Sequence, residues 1–405
     1  MHRRYWIVSF ICACLLPGTS RLEAEWAFDM AEPERELGVG YAVSLADVNS
    51  DGRLDIIVVD TERVLWYENP SWQRRVITAG TTARDNVCVA PHDIDGDGRL
   101  DLAIGAGWKG LDSNAVGTVQ WLTPGATLDE PWTVRHIADE PSVHRMRWVD
   151  LHGDGQPELV MLPLLGAGTT GPAFAEKTVR LMAYSIPAAP LKDRWPATVL
   201  NEELHVAHNF WPTDLNGDGK LDLLTVSFEG VSLLERNDDD TWRRTVIGAG
   251  YQVEGAPSRG ASEIKRGQLA NGRDYIATVE PWHGFQVVVY TRPADAAQPL
   301  WDRHMLDEQL KWGHGVWCAN LDADADEELI IGVRDSIDEA NPRGVRIYDP
   351  AVDVAGAITW TRQLVDPAGV AVEDLGAADL NRDRLTDIVA VGRATKNVRV
   401  YTGKK

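Results

Sequence analysis

The chain has 405 residues, including 36 Gly, 21 Pro and 16 Trp, and its formal charge is −21 at pH 7. So acidic a chain is a poor partner for nucleic acid, whose phosphates require basic surfaces, but it favours the binding of cations. The length exceeds that of one small domain and is compatible with a single large β architecture.

The first residues have the features of a secretory signal peptide. A basic start is followed by an apolar run over residues 5–16, a proline and a small-residue cleavage position after Ala24. We therefore predict a signal peptide over residues 1–24 and a secreted or periplasmic mature protein, with lipid attachment at Cys14 as the less favoured alternative. No later segment approaches the roughly 20 apolar residues of a membrane-spanning helix, so no membrane span is expected.

A 14-residue acidic pattern recurs along the rest of the chain. It reads DVNSDGRLDIIVVD from Asp47, DIDGDGRLDLAIGA from Asp93 and DLNGDGKLDLLTVS from Asp214. Further copies begin at Asp150, Asn320 and Asp379, and a decayed copy begins at Gly267. Seven related units are therefore predicted, and a repeat of this kind defines the fold before any other feature does.

A second marker, a Trp that opens a short strand-like segment, recurs out of phase with the acidic pattern. Six of these Trp residues follow an acidic loop: Trp72, Trp132, Trp195, Trp242, Trp301 and Trp360. The seventh, Trp26, precedes the first loop, and the last unit ends without a Trp segment of its own. Each unit reads as four strands, and seven four-stranded units of roughly 40 to 60 residues predict an all-β, seven-bladed β-propeller over residues 25–405. The segment at Trp26 is expected to complete the last blade, which closes the ring and removes an exposed sheet edge.

The acidic loops are predicted to bind calcium. The pattern D-x-[DN]-x-D-G-x-x-D supplies side-chain oxygens at positions 1, 3, 5 and 9, and its Gly at position 6 permits a sharp turn. Because strand-like residues follow where an EF-hand would need a Glu, each loop is expected to join two strands. The predicted calcium ligands are Asp47, Asn49, Asp51, Asp55, Asp93, Asp95, Asp97, Asp101, Asp214, Asn216, Asp218, Asp222, Asp379, Asn381, Asp383 and Asp387.

Not every loop keeps the full pattern. His152 replaces a ligand in the third loop, Ala325 and Arg384 replace the Gly of the sixth and seventh, and the fifth does not match. The alternative for all of them is a hairpin turn of the Asx type without a metal. Clustered carboxylates without a cation would repel one another and raise their pKa values, so we favour calcium for the intact loops.

The acidic loops resemble those of the FG-GAP or VCBS repeat family, which includes the integrin alpha-chain head and many secreted bacterial proteins. The resemblance covers residues 26–403 and implies a calcium-loop propeller. It leaves the function open, because the family contains adhesion modules, lectins and enzymes.

The face opposite the acidic loops is expected to carry the functional pocket. Counting back six residues from each loop gives equivalent places around the propeller axis: Tyr41, Val87, His144, His208, a poorly aligned site near Arg259, His314 and Glu373. Three histidines from separate strands are predicted to form an axial metal site, for which zinc is suitable. Acid–base groups without a metal and plain structural hydrogen bonding are the alternatives.

The contexts HNF and HGVW of two axial histidines are similar to the propeller part of the aldos-2-ulose dehydratase family. This resemblance implies a metal-dependent carbon–oxygen lyase that acts on a keto- or anhydro-sugar. In such an enzyme His283, Tyr41 or Glu373 would remove the proton next to a metal-polarised carbonyl. The alternative function is a non-catalytic, adhesive or lectin-like propeller whose partner is a glycan or a protein.

Overall fold

The computed structural model describes residues 26–404, so the predicted signal peptide and Cys14 lie outside the described residues. The described part of the chain contains 28 β-strands. No helix among these residues has the length and apolarity to cross a bilayer.

The strands are β1 (Phe28–Glu34), β2 (Ala42–Ala46), β3 (Asp55–Val59), β4 (Arg63–Glu68), β5 (Gln73–Ala79), β6 (Cys88–His92), β7 (Asp101–Ala106), β8 (Val116–Thr123), β9 (Thr133–Pro141), β10 (Val143–Val149), β11 (Glu158–Pro163), β12 (Leu181–Tyr184), β13 (Ala197–Asn201), β14 (Asn209–Thr213), β15 (Asp222–Ser227), β16 (Gly230–Arg236), β17 (Trp242–Gly248), β18 (Glu263–Gln268), β19 (Asp274–Glu280), β20 (Gln286–Thr291), β21 (Asp302–Asp307), β22 (Lys311–Ala319), β23 (Glu328–Asp335), β24 (Gly344–Val352), β25 (Ile358–Pro367), β26 (Val372–Ala378), β27 (Asp387–Gly392) and β28 (Val398–Gly403).

The strands form seven four-stranded antiparallel sheets, which are the blades of a β-propeller. Six blades take four consecutive strands each, from β2–β5 through β22–β25. The seventh has the order β1-β28-β27-β26, with Phe28 opposite Gly403 and Ala31 opposite Val400. The predicted seven-bladed fold and its closure by an N-terminal strand are both confirmed. Closure pairs the edge of β28, which would otherwise be open to other chains.

Burial within each blade explains why these segments are strands. The second strand of the first blade, β3, reads DIIVV and is buried at every position, because neighbouring blades cover both of its faces. The outermost strand of that blade, β5, reads QRRVITA and is exposed along much of its length. The recurring tryptophans pack in the blade cores, where Trp132 and Trp195 are 3% and 5% exposed.

Candidate functional site

The seven innermost strands place one residue each around the axis on the face away from the acidic loops. Tyr41, His144, His208, His314 and Glu373 occupy the places that the sequence predicts, at or just before the strands β2, β10, β14, β22 and β26. The fifth place is Ser262, not a site near Arg259. The Ser262 N–H donates to the Val279 carbonyl as the His208 N–H donates to that of Val226. The fifth blade has only five residues between β18 and β19, so counting back from its decayed loop misplaced the register.

The three predicted axial histidines share one hydrogen-bonding arrangement. The Nδ1 atoms of His144, His208 and His314 lie 3.1, 3.0 and 2.5 Å from the backbone carbonyl oxygens of His208, Ser262 and Glu373. Each acceptor belongs to the equivalent place in the next blade. A carbonyl oxygen only accepts, so each Nδ1 carries the proton and the lone pair of each ring lies on Nε2.

Burial keeps these imidazoles neutral. His144, His208 and His314 are 5%, 0% and 3% exposed, and burial lowers the pKa of all three. The carboxylate of Glu263 lies 2.9 Å from the Nδ1 of His208 and also accepts from Asn209. Although burial opposes ionisation, the contact with His208 holds the pKa of Glu263 at about 2. This carboxylate therefore helps to fix the orientation and tautomer of His208.

A fourth histidine completes the cluster from a different element. His283 lies between β19 and β20 with a left-handed backbone (φ 51°), and its ring stacks on Trp282 at 4.6 Å. Its Nε2 lies 2.9 Å from the Nε2 of His208. Ring nitrogens of His208, His283 and His314 all lie within 4.8 Å of one another. The structure thus groups His283, which is predicted as a base, with His208 and His314, and these three residues form the three-histidine cluster. His144 lies beside the cluster, with its ring 4.6 Å from that of His208.

The residues of this cluster fit a transition metal. Zinc–nitrogen bonds of roughly 2.0–2.1 Å place two tetrahedral ligands roughly 3.3 Å apart, within the range spanned by the cluster. Neutral imidazoles are suitable ligands for zinc and related divalent metals, and three of them leave a position open. Nδ1 contacts to carbonyl oxygens of the kind made by His208 and His314 usually orient metal-binding histidines.

His283 and His314 of the cluster, together with His144, line a cavity of about 530 Å³ on this face, and the buried His208 lies behind them. The cavity wall carries the aromatic side chains Trp108, Tyr251, Trp282, Phe285 and Trp312. Trp312 and Phe285 are 43% and 37% exposed at the rim. The size and aromatic lining are suitable for a ligand as large as one or two sugar rings.

The two other predicted catalytic residues, Tyr41 and Glu373, also line this cavity. The Tyr41 hydroxyl donates to Asp85 at 3.0 Å, and burial together with that carboxylate raises the pKa of Tyr41 to about 12. The phenol is therefore a proton donor at neutral pH. The Glu373 carboxylate lies 2.6 Å from Arg334 and 2.7 Å from Arg393. Because two guanidinium groups hold its carboxylate, Glu373 is suited to position those arginines.

The acidic loops lie on the opposite face, each between the first and second strands of its blade. The last predicted ligand of each intact loop is buried, with Asp55, Asp101 and Asp222 between 0% and 2% exposed. Burial raises the pKa of Asp55 and Asp222 to about 6 and that of Asp101 to about 7, and neighbouring loop carboxylates add to the effect. Carboxylate oxygens of Asp93, Asp95 and Asp101 come within 4.8 Å of one another. These oxygen-rich clusters fit the requirements of calcium.

The sixth loop brings several carboxylates together although it lacks the Gly of the intact loops. Asp322, Asp324 and Glu328 bring three carboxylates within 4.8 Å despite the loss of the Gly. The buried oxygens Asp326 Oδ1 and Glu328 Oε1 have no hydrogen-bond partner within the described chain. Buried polar atoms normally have partners, so a cation would also satisfy this loop.

The seventh loop keeps its shape although an arginine replaces the Gly. Arg384 has φ 73°, close to the 83°, 85° and 81° of Gly52, Gly98 and Gly219 at the same position. Since this left-handed conformation costs a non-glycine residue roughly 1–2 kcal/mol, Arg384→Gly is expected to raise the free energy of unfolding by about 0.5–1 kcal/mol in urea denaturation. The reverse change, Gly219→Ala, is expected to lower it by a similar amount. A stable Gly219→Ala variant together with a weakened Arg384→Gly variant would contradict this account.

Comparison with known proteins agrees with both sequence resemblances. The family model of the FG-GAP-like repeat matches residues 47–104, and that of the aldos-2-ulose dehydratase β-propeller domain matches residues 116–293. The chain is 26% identical over 319 residues to aldos-2-ulose dehydratase of Phanerodontia chrysosporium. The alignment covers 73% of this chain and 34% of that protein. The chain thus spans about a third of the length of this relative.

Among solved structures, an Agrocybe aegerita lectin that recognises non-reducing terminal N-acetylglucosamine aligns over 82% of each chain, with a TM-score of 0.49 and 13% identity. Neither value is high enough to bear on function. The family matches and the observed blades carry the assignment: the chain is a seven-bladed β-propeller with an FG-GAP-like repeat, distantly related to the propeller of aldos-2-ulose dehydratase.

Proposed function

We propose that the protein is a metal-dependent carbon–oxygen lyase that acts on a keto- or anhydro-sugar in the axial cavity. The observation that carries this proposal is the convergence of His208, His283 and His314 beside the axial cavity, with ring nitrogens within 4.8 Å of one another. The distant relation to a sugar dehydratase supports the substrate class.

These three histidines would hold the metal, and a divalent metal bound there supplies a Lewis acid that polarises a carbonyl oxygen. We assign the base to His144 and not to Glu373, because the His144 imidazole is neutral with its Nδ1 proton engaged by the His208 carbonyl, whereas Glu373 is held by two arginines. The Nε2 of His144 accepts the proton from the carbon next to the carbonyl. As the carbon–carbon double bond forms, the hydroxyl on the neighbouring carbon leaves, and the phenol of Tyr41 donates the proton that makes it water.

This division of roles predicts how two variants behave. His144→Gln and Tyr41→Phe are each expected to lower kcat by about 10²-fold or more, which is the usual effect of losing a general base or acid. Both are expected to keep the metal, because neither side chain belongs to the three-histidine cluster. His136→Gln is the matched control, since His136 is exposed and its side chain pairs with Asp139. Loss of metal from His144→Gln would instead make His144 a ligand, as the sequence pattern suggested.

The proposed activity is tested by incubating the metal-loaded protein with keto-sugars and anhydro-sugars. Elimination of water next to a carbonyl gives an enone, so ultraviolet absorbance should grow and the product mass should fall by one water. Chelated protein is the control and should be inactive. If no sugar of either class is converted while the metal remains bound, the lyase proposal is wrong.

We propose as the alternative that the cavity binds glycans without chemistry. The exposed rim residues Trp312 and Phe285 favour it, because aromatic faces pack against sugar rings. Saturable glycan binding without conversion, lost in Trp312→Ala, is expected in that case.

We further propose that the protein is exported and that its acidic loops bind calcium. The support for calcium is the burial of Asp55, Asp101 and Asp222 among other carboxylates.

A further inference from the structure

A second cavity, of about 470 Å³, lies on the axis at the end that carries the acidic loops. Arg145 lines both this cavity and the axial pocket. Its guanidinium lies 3.4 Å from Glu263. The proposed lyase chemistry takes place in the axial cavity at the other end of the propeller axis, so this second cavity requires its own explanation.

One ring of side chains, three positions after the seven axial places described above, determines the shape of this cavity. Four neighbouring blades place large side chains there, in the order Arg147, Trp211, Lys265 and Trp317. The other three blades place Ser44, Ala90 and Gly376 at the same level. The four large side chains therefore fill one side of this second cavity, and the three small residues leave open space on the other side.

Lys265 is a buried amine without a carboxylate partner within the described chain. It is 4% exposed, and its Nζ lies 3.6 Å from the ring centre of Trp211 and 4.6 Å from that of Trp317. Among residues 26–404, no carboxylate oxygen lies within ion-pair distance of this amine. Two indole faces stabilise a cation, but less than an opposite charge does in a desolvated site.

Arg147 repeats this situation on the other side of Trp211. Its guanidinium lies 5.0 Å from the ring centre of Phe210 and 5.1 Å from that of Trp211, and it donates to the Asn209 side-chain oxygen at 2.9 Å. Within the described part of the chain, Arg147 forms no ion pair either. Two basic side chains thus line one side of the cavity, and their partners within residues 26–404 are aromatic rings and an amide.

The two carboxylates of the cavity wall are already engaged. Glu263 accepts from Arg145, His208 and Asn209. Asp374 accepts the backbone N–H groups of Val43 and Leu375, both at 3.0 Å. Neither carboxylate pairs with Lys265 or Arg147. An incoming anion would supply the partner that these two side chains lack, while the two carboxylates already present disfavour a dianion such as phosphate.

We propose that this second cavity binds a small organic carboxylate. Its carboxylate group is received by Lys265 and Arg147, and its body occupies the space beside Ser44, Ala90 and Gly376. The volume admits a molecule of the size of a sugar acid, and charge-assisted hydrogen bonds to a guanidinium and an amine are strong. The site is independent of the proposed lyase activity.

The test is calorimetric titration of the full mature protein at low ionic strength with acetate, pyruvate and glucuronate, and with glucose and inorganic phosphate as comparisons. At least one carboxylate is expected to bind saturably and more tightly than phosphate, and glucose is expected not to bind at this site. Lys265→Met and Arg147→Met are each expected to weaken binding by about tenfold or more, as the loss of a charged partner does. Lys192→Met, which removes an exposed lysine on the surface, is the matched control and should bind as the wild type does.

A third variant tests the space without changing the charge. A Cβ at Gly376 would meet no atom closer than 3.8 Å, so Gly376→Leu is expected to fold and to fill the cavity. It should abolish carboxylate binding while the histidine cluster at the other end keeps its metal content. The proposal is overturned if none of the three carboxylates binds, if phosphate binds more tightly than all of them, or if folded Lys265→Met and Gly376→Leu proteins bind like the wild type.

Discussion

Removal of divalent cations at pH 7.5 is expected to destabilise the protein strongly, and calcium is expected to restore it. A ligand present at 100 times its dissociation constant stabilises by about 2.7 kcal/mol per site, so four occupied loops contribute on the order of 10 kcal/mol. In the cation-free protein, burial and neighbouring carboxylates raise the pKa of Asp55 and Asp222 to about 6 and that of Asp101 to about 7. Ionising these groups at neutral pH therefore costs folding free energy.

The same pKa shifts predict the pH dependence. A carboxyl whose pKa is raised on folding binds more protons in the folded state than in the unfolded state, whose aspartates titrate near roughly 3.9. The stability of the cation-free protein should therefore fall as the pH rises from about 4 through 7. Calcium requires ionised carboxylates, so the stabilisation by calcium should shrink as the pH falls from 7.5 towards 5.

Calorimetric melting of chelated and calcium-loaded protein at several pH values measures both effects, with magnesium as the comparison cation. Asp101→Asn is the informative variant, because it removes one charge from the second loop. It should melt at a higher temperature than the wild type in the cation-free state at pH 7.5 and gain less from calcium. If calcium stabilises this variant as much as the wild type, the second loop does not bind the cation as proposed.

The second large effect is expected at the histidine cluster. His208→Ala and His314→Ala should each reduce the content of transition metal to background and abolish conversion of the sugar substrate. Each removes one of the three proposed ligands, whose nitrogens lie within 4.8 Å of one another. Elemental analysis of the purified variants measures the metal, and calcium content serves as the internal reference because the acidic loops lie on the other face.

The matched control for these variants is His136→Ala. It removes an exposed imidazole on β9, the outermost strand of its blade, and should leave metal and activity unchanged. His283→Ala separates the two possible clusters. If it keeps the metal while His144→Ala loses it, the ligands are those that the sequence register suggested, not those that the structure groups together. Full metal content in both His208→Ala and His314→Ala would remove the basis of the lyase proposal.

Local patterns in the sequence were sufficient for the architecture. Strand alternation, the acidic loops and the tryptophan spacing recur within each unit, and the unmatched segment at Trp26 predicted the closure that the pairing of Phe28 with Gly403 confirms. Counting from the loops also placed His144, His208 and His314 around the axis, because each loop has a constant relation to the inner strand of its own blade.

Only the tertiary structure decided which side chains meet. His283 joins the cluster from a loop with its own backbone conformation, which no inner-strand register describes. Glu373 is held by Arg334 and Arg393, and Lys265 lies between Trp211 and Trp317, through contacts between different blades. The repeat specifies each blade from local sequence. The chemistry of the axis depends instead on seven blades that meet there. Residues far apart in the chain therefore determine each other's charge and hydrogen bonding only once the ring is closed.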